Sequence, residues 1–421
     1  MEAPIPIVSD ALRAEFDRLI QDRKRPSLDK YQNSFRVDSF DVSNSPSFDE
    51  LAFIIEKMAE PTLPKQSTYA QSVMRQWHII MANLCHATAA NKWVGISGYK
   101  RQYTAGGYLS QLGLTYAATE RILNRLMDGK LIVKEQGKKY QGTPITNQYY
   151  PTKELQGYLA EHAFFADNPT SFDRPFLAIG MPTAQYQGFS WSDDHPDRLM
   201  LNEINEFART QTWACKGAIR QTFKHTPFQS GRLTTPFQNL QSRSYDIRRR
   251  TLINGRPLVE VDFNANHLRL FLAMHQTKVI GGSDAYAPFV EETGIARDKV
   301  KAFINISLNE ADESKAQGAA AFNKPFVRHD EFERLKQAFS KLYPKLNLHA
   351  NFALPAMQVE GLILRNVLHK GASEGILALP VHDAVAVEAE HAEWAVQAMT
   401  DAWEQAVHQW HPSAKSSVKA E

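Results

Sequence analysis

The chain is 421 residues long, with 48 lysines and arginines against 46 aspartates and glutamates and a net charge of +2. That length suits two or three domains with real cores, and the near-neutral charge means that a nucleic-acid partner must be argued from local clusters. No apolar run reaches membrane-span length, the opening Met-Glu-Ala-Pro-Ile-Pro lacks a leader pattern, and Cys85 and Cys215 have no metal-ligand spacing, so the expected setting is a reducing cytoplasm without structural zinc.

Residues 1–66 alternate short helical patterns with Ser/Asn/Pro stretches such as Asp41-Val42-Ser43-Asn44-Ser45-Pro46, and read as an arm that leans on the rest. From Ser67 the texture changes. A long helical stretch to about Ala90 is followed by a short helix carrying Leu109 and Leu112, and Gly113 supplies a turn. The next helix has Ile122, Leu123 and Leu126 on its apolar face. Leu131-Ile132-Val133 and Asn147-Gln148-Tyr149-Tyr150 read as strands joined by the tip Gly137-Lys138-Lys139. Helix-turn-helix followed by a hairpin, over residues 67–155, resembles the winged-helix family. That resemblance implies duplex DNA binding through Arg121 and Arg125 on the second helix and Lys134, Lys138 and Lys139 on the wing. Many winged helices brace a neighbour instead. The basic helix and basic wing tip favour DNA.

Residues 156–228 read as a connector, with the Pro- and aromatic-rich stretch Phe164 to Asn202 expected to be irregular, and residues 229–421 carry the chemistry. In Leu258 to Phe263 alternation puts Val259, Val261 and Phe263 on one face and Glu260 and Asp262 on the other. Ile376 to Val387 reads as two short strands flanking His382-Asp383, a hairpin whose tip projects an acid. Between them Arg297, Lys301, Asn305 and Asn309 recur every fourth residue on one helical face, beside the apolar run Phe303 to Leu308. A lone aspartate usually caps a turn and a basic stripe is usually a solvated face. Together they describe more. Two carboxylates for divalent ions and a cationic row for a triphosphate are what nucleotidyl transfer needs. The polar tail Ser413 to Glu421 is expected to fray.

Five segments in order then resemble the palm and fingers of family A DNA polymerases. Gly231-Arg232-Leu233-Thr234-Thr235 is similar to the primer-side segment, and Asp262 through Arg269 to the first palm motif. Arg297 through Asn309 is similar to the fingers helix, Pro355-Ala356-Met357-Gln358 to the template-side segment, and Val381-His382-Asp383 to the second palm motif. The implied fold is α+β: a palm with an antiparallel sheet, helical fingers and a short thumb, behind an N-terminal winged helix-turn-helix. The implied roles are Asp262, Asp383 and the Phe263 carbonyl on two Mg²⁺ ions, with Mn²⁺ as substitute, and Arg297 and Lys301 on the triphosphate. Arg232 would meet the nascent pair, Gln358 the template and His382 the primer-terminal phosphate. The implied partners are a primed or single-stranded DNA template and dNTPs, with rNTPs and an accessory replication protein as further candidates.

The departures fall on the sugar side. His267 stands where the family has a glutamate, Asn305 where it has an aromatic ring, Asn309 where it has a tyrosine, and Ala384 follows the second aspartate. An active, exonuclease-less polymerase with relaxed sugar selection and primer synthesis is therefore expected. A primase or RNA-synthesising enzyme, and a non-catalytic DNA-binding replication or regulatory protein, are the alternatives. An arginine cluster, Arg243, Arg248, Arg249, Arg250 and Arg256, suits a phosphate backbone or equally a solvated surface.

Overall fold

The computed structural model describes residues 5–28, 33–42, 45, 48, 68–135, 139–140, 143–144, 146–242 and 245–421. Its helices and small open sheets divide into two units. The first comprises residues 1–174, 209–218 and 235–258, and the second residues 175–208, 219–234 and 259–421. These limits differ from the expected boundaries: the 156–228 connector is shared between the two units, and the arm belongs to the first.

In the first unit, α1 (Asp10–Asp22) is capped by Ser9, whose hydroxyl accepts from the Leu12 N–H, and buries Leu12, Phe16, Leu19 and Ile20 at helical spacing. Strand β1 (Ser34–Arg36) pairs in parallel with β2 (Trp93–Ile96), and Val37, Phe40, Val42 and Phe48 join the core of the long helix α2 (Thr68–Ala90). The arm thus contributes a strand and core side chains. Helices α3 (Tyr108–Gln111) and α4 (Tyr116–Asp128) follow, with the turn at Gly113 at φ 78°, a conformation that glycine adopts without Cβ strain. Helix α4 buries Ala118, Ile122, Leu123 and Leu126, which leaves Arg121 and Arg125 exposed. Strand β3 (Ile132–Glu135), the two-residue strands β4 (Lys139–Tyr140) and β5 (Thr143–Pro144), and β6 (Asn147–Pro151) complete the hairpin region. The sheet order is β1-β2-β6-β3, and β6 is antiparallel to both β2 and β3. Lys138 and the Lys139 side chain lie outside the described residues; Lys134 is exposed, its ammonium 6.0 Å from the Tyr149 ring centre. Helix α5 (Lys153–Leu159) packs back toward α1 and α2.

The arginine cluster is largely structural. Arg248 is buried, donating to the carbonyls of Gln238 and Leu240, and Arg250 donates to Glu15 at 3.1 Å. Arg249 lies 3.8 Å from Asp246, Arg256 is exposed, and Arg243 lies outside the described residues. Two of the expected phosphate contacts therefore bind their own chain.

In the second unit β7 (Leu177–Ile179), β8 (Arg220–Phe223) and β9 (Ser230–Thr234) form one sheet. Helix α6 (Pro196–Thr210) occupies part of the stretch expected to be irregular; Leu201, Ile204, Asn205 and Ala208 give it a buried face. A second sheet contains β10 (Arg256–Phe263), β11 (Leu379–Val381), β12 (Ala384–Glu388) and β13 (Val418–Ala420). Strand β12 lies between β10 and β11, and β13 pairs antiparallel with β10. The tail is therefore not frayed: β10 offers unpaired backbone groups at its edge, and Val418–Ala420 satisfies them. Helices α7 (Asn266–Met274), α8 (Ala287–Thr293), α9 (Arg297–Asn309), α10 (Glu313–Phe322) and α11 (His329–Leu342) follow β10. Then come α12 (Ala353–Glu374) and α13 (Ala392–Val407). Helix α12 runs against β9 so closely that a Cβ on Gly361 would fall 1.9 Å from the Gly231 carbonyl oxygen. That approach is what brings Glu360 to Arg232.

Candidate active site

Two local turns set the acids. At the end of β10 the chain passes Asp262, reaches Ala265 in a left-handed conformation (φ 57°) and starts α7 at Asn266. The β11–β12 hairpin closes through Val381 and Ala384, leaving His382 (φ 59°) and Asp383 as its two-residue turn. Since β12 neighbours β10 in the sheet, both aspartates belong to one site. His382 is exposed at the tip, and Phe263 is buried and paired with Val418.

Asp383 is close enough to oppose the ionisation of Asp262. Burial, then the charge of Asp383, pushes Asp262 up to about 7, against the pull of Lys301, a backbone bond from Phe263 and the charge of Lys419. Asp383 is also raised, by burial first and by Glu360 second, with His267 and Arg232 tempering it. One oxygen of Asp262, Oδ1, is buried with no hydrogen-bond partner. A buried carboxylate oxygen without a donor, beside a second carboxylate, is a hard-oxygen environment suited to a divalent cation. The donor set fits the expected ions. The one cluster of three metal-ligating side chains found among the described residues, Glu388, Glu390 and His391, lies elsewhere, at the end of β12.

Glu360, which the motif reading passed over, is the polar hub of this region. It is buried at 1% exposure on α12 and accepts from Asn266 Nδ2 at 3.1 Å, from His267 Nε2 at 2.9 Å and from Arg232 Nη2 at 3.3 Å. Asn266 Oδ1 in turn accepts from the Trp403 indole at 3.0 Å. Burial works against the glutamate's charge, yet the His267 bond and the His267 and Arg232 charges hold its pKa below the usual range. Burial likewise opposes a charged His267, and the bond and charge of Glu360 outweigh it, so the imidazole is raised. His267 therefore carries a carboxylate supplied by another helix. No sequence signal marked Glu360, because its partners come from β9 and α7, more than ninety positions away in the chain.

Helix α9 presents the polar row as its spacing predicts, with Val300, Phe303, Ile304, Ser307 and Leu308 buried behind it. Arg297 is held by a fork to Asp284, Nε to Oδ2 at 2.8 Å and Nη2 to Oδ1 at 3.1 Å. It also donates to Asn264 Oδ1 at 3.1 Å and lies 5.2 Å from the Tyr286 ring centre. Asp284, likewise missed in the sequence, is lowered chiefly by its Arg297 bond. Lys301 is exposed and acts on Asp262 through its charge. Asn305 and Asn309 are half-buried, and Asn309 Oδ1 is buried without a partner. Gln358 is half-buried two residues before Glu360. Arg269 is structural: it donates to the carbonyls of Asn264, Gly282, Ser283 and Lys415. The second unit thus brings together Asp262, Asp383, Lys301, His267 and Arg232. The DNA-binding candidates Arg121, Arg125 and Lys134 belong to the first unit.

No protein-family model matches the chain, and no curated protein matches it.

Proposed function

We propose that this chain is a template-directed DNA polymerase of family A type without a proofreading exonuclease, with a winged-helix module in its first unit that grips duplex DNA. The observation that carries the reading is the placement of Asp262 near the end of β10 and of Asp383 in the turn that leads into β12, where the Asp383 charge opposes ionisation of Asp262 and the Lys301 charge favours it. In the second unit β10 and the β11–β12 hairpin form the palm, and α9 is the fingers helix. In the first unit the order helix, strand, two helices, strand, strand, with β6 between β2 and β3, supports the winged-helix assignment.

Asp262, Asp383 and the main-chain carbonyl of Phe263 would hold Mg²⁺ or Mn²⁺. Two such ions supply an activated primer hydroxyl and a stabilised leaving oxygen. The protein's own part is positioning and charge. The Lys301 ammonium neutralises the triphosphate where pyrophosphate departs. Arg297 reaches the same phosphates by exchanging its Asp284 fork for a phosphate fork of the same geometry. The exchange gives incoming nucleotide a local anionic competitor. His267, fixed by Glu360 through Nε2, offers only Nδ1 to a sugar hydroxyl, while Asn309 Oδ1 is an unmatched acceptor. These polar groups favour relaxed sugar selection, with dNTPs as main substrates and ribonucleotides admitted more readily than by a carboxylate gate.

The test is extension of primed and unprimed single-stranded templates with dNTPs or rNTPs and Mg²⁺ or Mn²⁺. Metal-dependent growth of the primed template supports the polymerase, and products from the unprimed template with rNTPs favour the primase alternative. A chain that binds DNA and extends nothing is the non-catalytic alternative. For the sugar, His267→Gln is the informative change, since a glutamate at 267 would face Glu360 with like charge. A dNTP-over-rNTP preference in kcat/KM that the substitution does not move would remove His267 from sugar recognition.

A further inference from the structure

The first unit contains a hollow of about 330 Å³ that the polymerase reading does not use. Its polar lining comes from Arg23 and Arg25 after α1, Tyr150 on β6, and Thr152, Lys153 and Gln156 around the start of α5. Among the described residues three cations line it and no carboxylate does. Asp22 and Glu154 are neighbours in sequence, exposed and outside the lining.

Arg23 is the unusual member. It follows α1 directly and is 2% exposed. Its Nε and Nη2 donate to Gln156 Oε1 at 3.2 and 2.7 Å, Nη2 also donates to the Thr88 carbonyl at 2.5 Å, and Nη1 has no partner. Among the described residues every acceptor is neutral. Burial lowers its pKa, and the groups that counter this are the phenols Tyr150 and Tyr245, with no acid among them. A guanidinium buried without a counter-charge is normally strongly disfavoured. Here it forms the wall of a hollow whose rim adds two more positive charges. Arg25 sits 5.6 Å from the Trp93 ring centre, and Lys153 gives one of its three donors to the Gln21 carbonyl.

We propose that this hollow binds a phosphoryl anion, with Arg23 as the buried counter-charge and Arg25 and Lys153 donating to its oxygens. The anion is either a free phosphate or pyrophosphate or the 5′-terminal phosphate of a DNA strand, since both present the same tetrahedral oxygens to a guanidinium fork. The site is independent of the polymerase reading and lies outside the second unit.

The experiment uses the full chain at constant ionic strength, replacing chloride with orthophosphate or pyrophosphate, and follows binding by calorimetry and the thermal midpoint. A parallel arm compares one oligonucleotide with a 5′-phosphate and with a 5′-hydroxyl. Saturable binding is expected in at least one arm, and the arm identifies the source. Arg25→Gln and Lys153→Gln should each weaken it by roughly tenfold without changing the circular dichroism. Binding that Lys301→Ala removes and both rim variants retain would belong to a triphosphate site in the second unit and counts against this one. Arg23→Gln should abolish binding; should that chain fail to fold, the two rim variants decide. No saturable binding in either arm, or binding that both rim variants retain in full, overturns the proposal.

Discussion

Asp262→Asn is predicted to stabilise the metal-free protein at pH 8 while removing the proposed polymerase activity. Burial and the Asp383 charge push folded Asp262 up to about 7, from an ordinary 3.8. Between those values the folded chain holds a proton that the unfolded chain has lost, so stability falls as pH rises through that window. The shift corresponds to a ceiling of about 4 kcal/mol. Asp383 titrates with Asp262, and the site relaxes toward water, so about 2 kcal/mol is the expected gain from the neutral amide at pH 8. That is a rise of about 4–8 °C in the midpoint of a unit of this size. The assay is thermal or urea unfolding of wild type and Asp262→Asn in EDTA at pH 5 and pH 8. At pH 5 the unfolded carboxyl is already ionised while the folded one is not, so the variant should lead by about a third of its pH 8 margin; at pH 8 it should lead by the full margin. Adding Mg²⁺ at pH 8 should raise the wild-type midpoint and leave the variant's almost unmoved. A variant no more stable than wild type at pH 8 would refute the reasoning, because the opposed carboxylates would then carry no stored cost.

Three further outcomes follow. Glu360→Gln should destabilise the chain by about 2–4 kcal/mol, because it leaves Arg232 and His267 beside a neutral amide. Glu360's contribution is present above the ordinary glutamate value of 4.5, and that of His267 is lost as pH rises through its raised folded value. The penalty, read by urea unfolding, should therefore peak near pH 5–6.5 and shrink by about pH 9; a flat penalty would mean that the pair is not ionised. Gly361→Ala should cost about 3 kcal/mol, since the new methyl meets the backbone oxygen of Gly231 rather than a side chain that can swing away. An unfolding midpoint within error of wild type would mean that α12 does not approach β9 as described. Arg121→Gln with Arg125→Gln should weaken duplex binding and reduce the slope of log affinity against log salt by about 2, and an unchanged slope would assign α4 to protein contacts instead.

What the sequence disclosed follows a physical pattern. Asp262, the His382-Asp383 turn and the α9 row were legible because each depends on local periodicity or a tight turn, which neighbouring residues encode. Glu360 and Asp284 were not: each acquires its meaning from a partner on another element, His267 and Arg232 for one, Arg297 for the other. Strand β13 carried no apolar signal, because its pairing satisfies backbone groups of β10 rather than burying side chains. Helix α6 did carry a signal in Leu201, Ile204, Asn205 and Ala208, obscured by the Pro- and aromatic-rich text before it. The cluster Arg248, Arg249 and Arg250 misled for the opposite reason, since a run of charge looks the same in sequence whether it faces solvent or braces a loop.

The most direct measurement is single-turnover extension of a primed template by wild type, Asp262→Asn and Asp383→Asn, with DNA affinity measured on the same samples. A family A type polymerase built on these aspartates should show Mg²⁺-dependent extension as wild type, a loss of at least about 10³-fold in each variant, and nearly unchanged DNA binding. Extension by either variant at a rate near wild type would contradict that reading.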